Sequence, residues 1–146
     1  MKLVIQRVAN AKVDIEGQTV GKIGKGFLVL LGIKVGDTKE QADYLVRKLI
    51  NLRVFTDSNN KMNLALKEVD GELLIISQFT LYGECLKSGN RPSFTDAARP
   101  EEAIPLYEYF IAECKKQIKV VETGEFGADM KVNLLNDGPV TIIIEK

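Results

Sequence analysis

Residues 27–33 read FLVLLGI and residues 73–77 read LLIIS, and these two stretches decide the fold class. Neither alternates between apolar and polar positions, so each reads as a strand buried on both faces, central in a sheet. Towards the amino end, KLVIQRV, AKVDI and TVGKI are short β-rich runs divided by Glu16-Gly17-Gln18 and Gly24-Lys25-Gly26. That punctuation predicts antiparallel strands joined by hairpins.

Between the two apolar runs, Asp37 followed by Glu40 reads as a capping box, and Ala42, Leu45, Val46, Leu49 and Leu52 recur at helical spacing. A helix over Thr38 to Leu52, its apolar stripe covering one sheet, is therefore expected. A polar turn at Asp57-Ser58-Asn59-Asn60 leads through KMNLAL to the LLIIS strand, after which regular structure ends near Ser77 to Leu81 and Tyr82 to Thr95 is loop-like. Pro100 suits a first helical turn, Glu101 and Glu102 suit the positive end of a helix dipole, and Ala103, Leu106, Tyr107, Phe110, Ile111 and Cys114 continue one face of a second helix. Beyond it come KVVET, the glycine-punctuated GEFGADM, and two strand-like runs, MKVNLL and VTIII, flanking Asn136-Asp137-Gly138-Pro139. Runs of strands with two helices and no βαβα alternation predict an α+β class: a single layered domain over residues 1–146, of mostly antiparallel β-sheets with the two main helices packed on one side.

The chain has 146 residues, 45% hydrophobic and 27% charged, which is ordinary globular usage. Lys plus Arg equal Asp plus Glu at 20 each, so no global field favours adhesion to duplex nucleic acid, and any contact with nucleic acid has to be local. DNA is not an expected partner. No apolar run approaches the roughly 20 residues that span a bilayer, and no signal-peptide pattern precedes the first strand, which reads as a cytoplasmic protein without a membrane partner. Cys85 and Cys114 lack CxxC spacing and read as reduced thiols. There is no histidine, which removes Ser-His-Asp and Cys-His catalysis and histidine zinc sites together. Neither a metal site nor a cofactor is expected.

Ser77-Gln78-Phe79-Thr80-Leu81 places two hydroxyls and an amide at the end of a rigid apolar strand. Alone, that segment reads equally as Ser and Thr satisfying backbone groups at a strand end, or as an ester-binding site whose backbone N–H groups stabilise an oxyanion at about 3–4 kcal/mol per donor. Asn136-Asp137-Gly138-Pro139 first looks like a hairpin turn, but Pro139 lacks an N–H and restricts Gly138, leaving carbonyls free to accept from outside the ladder. Lys87, Arg91 and Arg99 bracket the loop KSGNRPSFTDAARP, either as a solvated surface or as a set of phosphate contacts near SQFTL. Phe126 and Met130 are either core or an apolar slot for a nucleobase, where stacking is worth roughly 1–3 kcal/mol. Gly21-Lys-Ile-Gly24-Lys-Gly26 matches neither a P-loop nor a dinucleotide fingerprint.

Taken together, IQRV, GKIGKGFLVLLGI, SQFTL, NRPSFTDAA, FGADM and NDGPVT occur in an order that resembles the D-aminoacyl-tRNA deacylase family, over essentially Met1 to Lys146. The resemblance implies a homodimer with the D-Tyr-tRNA deacylase-like fold that hydrolyses the ester of D-aminoacyl-tRNA, and of glycyl-tRNA, at the tRNA 3′ end. On the same footing, Ser77, Gln78, Phe79 and Thr80 form the reaction site of one subunit. Gly138 and Pro139 of the other subunit, joined by a cis bond and supported by Arg7 and Asn136, reach into it and exclude an L side chain. Phe126 and Met130 match the residues that hold the terminal adenine. Thr80 has no histidine beside it to activate its hydroxyl, so a reaction assisted by the ribose 2′-hydroxyl is preferred over a Thr80 nucleophile. The competing readings are a noncatalytic module that binds RNA ends and a protein-interaction domain, and release of amino acid under excess substrate separates the enzyme from both.

Overall fold

The computed structural model describes residues 1–87 and 89–146; Ser88, inside the loop read between Lys87 and Arg99, lies outside the described residues. β1 (Lys2–Ile15) is the spine, and three strands pair with it antiparallel. On one edge, β2 (Gln18–Ile23) pairs with its residues 11–15 and β3 (Gly26–Gly32) with its residues 2–8; on the other edge, β8 (Lys131–Glu145) runs along nearly its whole length. The β1–β2 turn is the expected two-residue hairpin, with Glu16 at φ 49° and Gly17 at φ 79°, the left-handed pair that matches strand twist.

The second expected hairpin is corrected. β2 and β3 both pair with β1 and follow one another along the same edge, so Gly24-Lys25 is a break in one antiparallel partner and not a reversal. The same correction applies to Asn136-Asp137-Gly138-Pro139, which does not join two strands: β8 is a single element. Its register with β1 jumps from Thr141 opposite Gln6 to Asn136 opposite Val8, so the intervening residues bulge out opposite Arg7. Turn chemistry signals a departure from the ladder and is silent on whether the chain reverses.

β6 (Glu72–Ser77) lies parallel to β3, and β7 (Val121–Thr123) parallel to β6. The crossovers are α1 (Lys39–Ile50) and α2 (Pro100–Lys115), so two βαβ units occur where sequence predicted no alternation. The α+β description stands, with two helices and a mostly β framework: one six-stranded sheet and a small ribbon of β4 (Phe55–Thr56) and β5 (Met62–Leu64). α1 begins one residue later than the expected box. Thr38 is its N-cap and Gln41 the reciprocal partner, because Asp37 is occupied by the Met1 ammonium at 2.8 Å and the Lys34 N–H at 2.7 Å.

Alternate residues of the central strands enter two cores. Leu3, Ile5, Phe27, Val29, Leu31, Leu73 and Ile75 pack under the helices with Leu45, Leu49, Tyr107 and Phe110. Val8, Val13, Ile23, Leu28, Leu74 and Ile76 form a second cluster on the opposite face, where β2 folds back over β6 and β7. This double burial is why FLVLLGI and LLIIS carry no polar positions. Gly26 is required where β3 meets β6, since a Cβ there would stand 1.9 Å from the Glu72 carbonyl oxygen.

Candidate active site

β6 delivers Ser77 to the end of the sheet, level with Leu31 of β3, and the Gln78 N–H extends the ladder once more by donating to the Leu31 carbonyl at 2.8 Å. The chain then tightens into a 3-10 turn over Phe79–Tyr82, closed by Leu81 N–H to Gln78 O at 3.3 Å and Gly83 N–H to Thr80 O at 2.9 Å. The Phe79 and Thr80 N–H groups open that turn and have no acceptor among the described residues. Thr80 is exposed, and its hydroxyl accepts from the Gln78 amide at 2.5 Å.

A cavity of about 250 Å³ lies beside this turn. Ser77, Gln78 and Phe79 line it together with Phe126, Met130, Leu31 and Ile33. Residues nearly fifty positions apart in sequence therefore share one apolar slot. Phe126 is held by the Tyr107 ring, with centroids 5.9 Å apart, and Tyr107 is itself fixed by donating to the Ile75 carbonyl at 2.9 Å; burial pushes its hydroxyl pKa up to about 12. Met130 has room because residue 124 is glycine, where a Cβ would meet its sulfur at 2.3 Å. Gly127, Ala128 and Asp129 also line the cavity, as do Ala98 and Ala103; the first three lie within FGADM and Ala98 ends NRPSFTDAA, but the sequence reading gave none of the five a role.

The Gly138-Pro139 bond is cis, and neither residue lines this cavity. Both sit on the bulge of β8, where Arg7, 8% exposed, passes beneath them. Its Nη1 donates to the Val54 carbonyl at 2.6 Å and its Nε to the Asp137 carbonyl at 3.1 Å, with the Asp137 carboxylate 3.4 Å away. Asn136 closes the base of the bulge, accepting from the Val140 N–H at 3.2 Å and donating to the Thr141 hydroxyl at 3.1 Å. The Val54 carbonyl, the firmest anchor of Arg7, is backbone and had no sequence signal. The bulge lies on a strand whose outer edge is unpaired among the described residues, with Leu135 and Ile143 exposed on it at 57% and 65%.

Lys87 is exposed and only 3.9 Å from Glu84, while Arg99 occupies the N-cap position of α2 at the far end of the loop. Cys85 is exposed and Cys114 buried, and burial raises the Cys114 thiol to about 12. Among the described residues, no group of three or more His, Cys, Asp or Glu is placed to hold a metal, and no helix is long and apolar enough to cross a membrane.

Backbone N–H groups at a strand end thus lie beside an apolar slot, in a chain without histidine. The model of the D-Tyr-tRNA(Tyr) deacylase family matches residues 4–145. A D-aminoacyl-tRNA deacylase of Thermosipho africanus is 59% identical over 145 residues, covering 99% of this chain and 97% of the relative, and one of Clostridium novyi is 57% identical with the same coverage. The solved structure of the c-Myc DNA Unwinding Element Binding Protein is 41% identical and superposes with a TM-score of 0.93, covering 100% of this chain and 99% of that one. The chain belongs to the D-aminoacyl-tRNA deacylase family. It is a hydrolase of the aminoacyl-tRNA ester bond, with a place in translational proofreading.

Proposed function

We propose that this hydrolase frees D-amino acids, and glycine, from the tRNA 3′ end while sparing L-aminoacyl-tRNA, and that it does so as a homodimer with shared sites. The observation that carries the reading is the pair of N–H groups at Phe79 and Thr80, without an acceptor among the described residues, bordering a slot lined by Phe126 and Met130. The terminal adenine occupies that slot, and Ser77 and Gln78 orient the aminoacyl group. Water attacks the ester carbonyl, the two N–H groups hold the resulting oxyanion, and collapse expels the ribose 3′-oxygen, with the neighbouring 2′-hydroxyl helping to move the proton. Thr80 has no base beside it and stays uncharged and unacylated.

Chirality is sensed by Gly138 and Pro139 of the second subunit, whose carbonyls face the α-carbon and leave no space for an L side chain. Two facts support this. The bulge is absent from its own subunit's cavity, and it sits rigidly braced by Arg7 and Asn136 on an unpaired edge strand with exposed apolar residues, a surface suited to a second copy. The partner nucleic acid is tRNA, and with a formal charge of zero the chain must contact it locally. The site uses no cofactor and works in the cytoplasm.

Mixed dimers test the sharing. A Phe79→Pro subunit has a disabled site and an intact bulge; a Gly138→Ala subunit has the reverse. Gly138→Ala homodimers are expected to cut both D- and L-tyrosyl-tRNA. Adding excess Phe79→Pro subunits should suppress the L reaction and keep the D reaction. An L rate indifferent to that addition would place the bulge's influence within its own subunit.

A further inference from the structure

The turn bearing Phe79 and Thr80 is held on its outer side by an aromatic contact that the proposed reaction does not use. The Phe79 ring is 54% exposed and meets the Phe94 ring nearly edge-on, centroids 5.1 Å apart and planes at 73°. Phe94 reaches it because Glu84 and Ser93 exchange both backbone hydrogen bonds, at 2.7 and 2.9 Å, which folds the loop back on the turn. The Phe94 ring rests over Gly83, where a Cβ would stand 3.0 Å from its Cε1 and 3.0 Å from the Thr80 carbonyl oxygen. That same oxygen takes the Gly83 N–H that closes the turn. Two rings left this open to water bury little area, so their contribution to folding is small; what an edge-to-face pair fixes well is direction.

We infer that Phe94 is a positioning residue for deacylation: its ring clamps the Phe79–Gly83 turn so that the Phe79 and Thr80 N–H groups stay aimed at the ester oxygen. This rests on those N–H groups being the oxyanion donors. Phe94 touches no reacting atom, so its loss acts on kcat and leaves KM alone. Gly83 belongs to the same device, since a side chain there would displace the ring.

The test is kcat and KM for D-tyrosine release by Phe94→Ala, Phe94→Tyr, Gly83→Ala, Phe79→Ala, Phe79→Pro and the double Phe79→Ala/Phe94→Ala. Phe94→Ala and Gly83→Ala are expected to lower kcat about three- to tenfold, the weight of one aromatic pair, with KM and thermal midpoint unchanged. Phe94→Tyr restores the rate, and the double variant is no slower than either single, because both singles break one contact. Phe79→Pro also removes an N–H, at a turn position that accommodates proline, and should fall roughly a hundredfold further. Wild-type kcat in Phe94→Ala, or additive losses in the double, overturns the clamp while Phe79→Pro remains below Phe79→Ala. Equal rates for Phe79→Pro and Phe79→Ala would instead remove the oxyanion reading, and the clamp with it.

Discussion

Replacing Arg7 by methionine keeps the apolar stem and removes a guanidinium held by two backbone carbonyls. The Val54 bond, at 2.6 Å, is buried, and the Asp137 bond, at 3.1 Å, is partly so. A hydrogen bond from a charged donor is worth about 1.5–3 kcal/mol. The Val54 carbonyl, left without a partner, belongs at the upper end of that range. The Asp137 side lies lower, since water can replace the lost donor there, and the Asp137 carboxylate is 53% exposed, so its ion pair adds little. The sum is roughly 3–4 kcal/mol, or a fall of roughly 10 °C in thermal midpoint for a chain of this size. Urea and thermal melts at one fixed protein concentration measure it, because the midpoint of a self-associating protein depends on concentration. Asp137→Asn keeps the backbone carbonyl and should cost less than about 1 kcal/mol. In activity, Arg7→Met releases the bulge, so L-tyrosyl-tRNA becomes a substrate. An Arg7→Met protein as stable as Asp137→Asn, with its D/L discrimination intact, would refute the bracing argument.

Gly138→Ala places a Cβ 2.9 Å from Arg7 Nη2 and 3.0 Å from Val140 Cγ2 at a φ of 124° that side chains rarely adopt, so the bulge must shift; D/L discrimination should drop before the D rate does, as initial rates on both substrates will show. Thr80→Ala should retain turnover within a few-fold of wild type, at about 1 kcal/mol for the lost hydroxyl contact, whereas an acyl-enzyme trapped on Thr80 and seen by mass spectrometry would contradict substrate assistance. The buried Cys114 thiol, raised to about 12, is neutral at any pH well below that value, leaving about one part in ten thousand as thiolate at pH 8. A thiol reagent at pH 8 should therefore label Cys85 alone in the native protein and both cysteines after denaturation.

The elements whose patterns are self-contained were legible in the sequence. FLVLLGI and LLIIS declared themselves buried on both faces, and the helical stripes of α1 and α2 are the residues that pack on the sheet. The misread positions, Gly24-Lys25 and Asn136–Pro139, are breaks in a strand that resumes along the same edge of β1, a fact set by the pairing partner and absent from the local dipeptides. The helix start slipped by one residue because Asp37 and Thr38 can both cap, and the Met1 ammonium, far away in sequence, decides between them. In the site, Ser77 to Thr80, Phe126 and Met130 were legible as candidates, and only tertiary structure shows that Ser77, Gln78 and Phe79 share a cavity with Phe126 and Met130, with Thr80 next in the chain. The Val54 carbonyl had no sequence signal, since a backbone oxygen looks the same everywhere, and although Phe94 lies within the motif NRPSFTDAA, its contact with Phe79 did not show, since an aromatic residue in a loop announces no partner.

Purified protein, supplied without added metal with matched D-tyrosyl- and L-tyrosyl-tRNA in excess, is expected to release free tyrosine over multiple turnovers from the D substrate and none above the spontaneous rate from the L substrate. Equal release from both, or from neither, would overturn chiral deacylation.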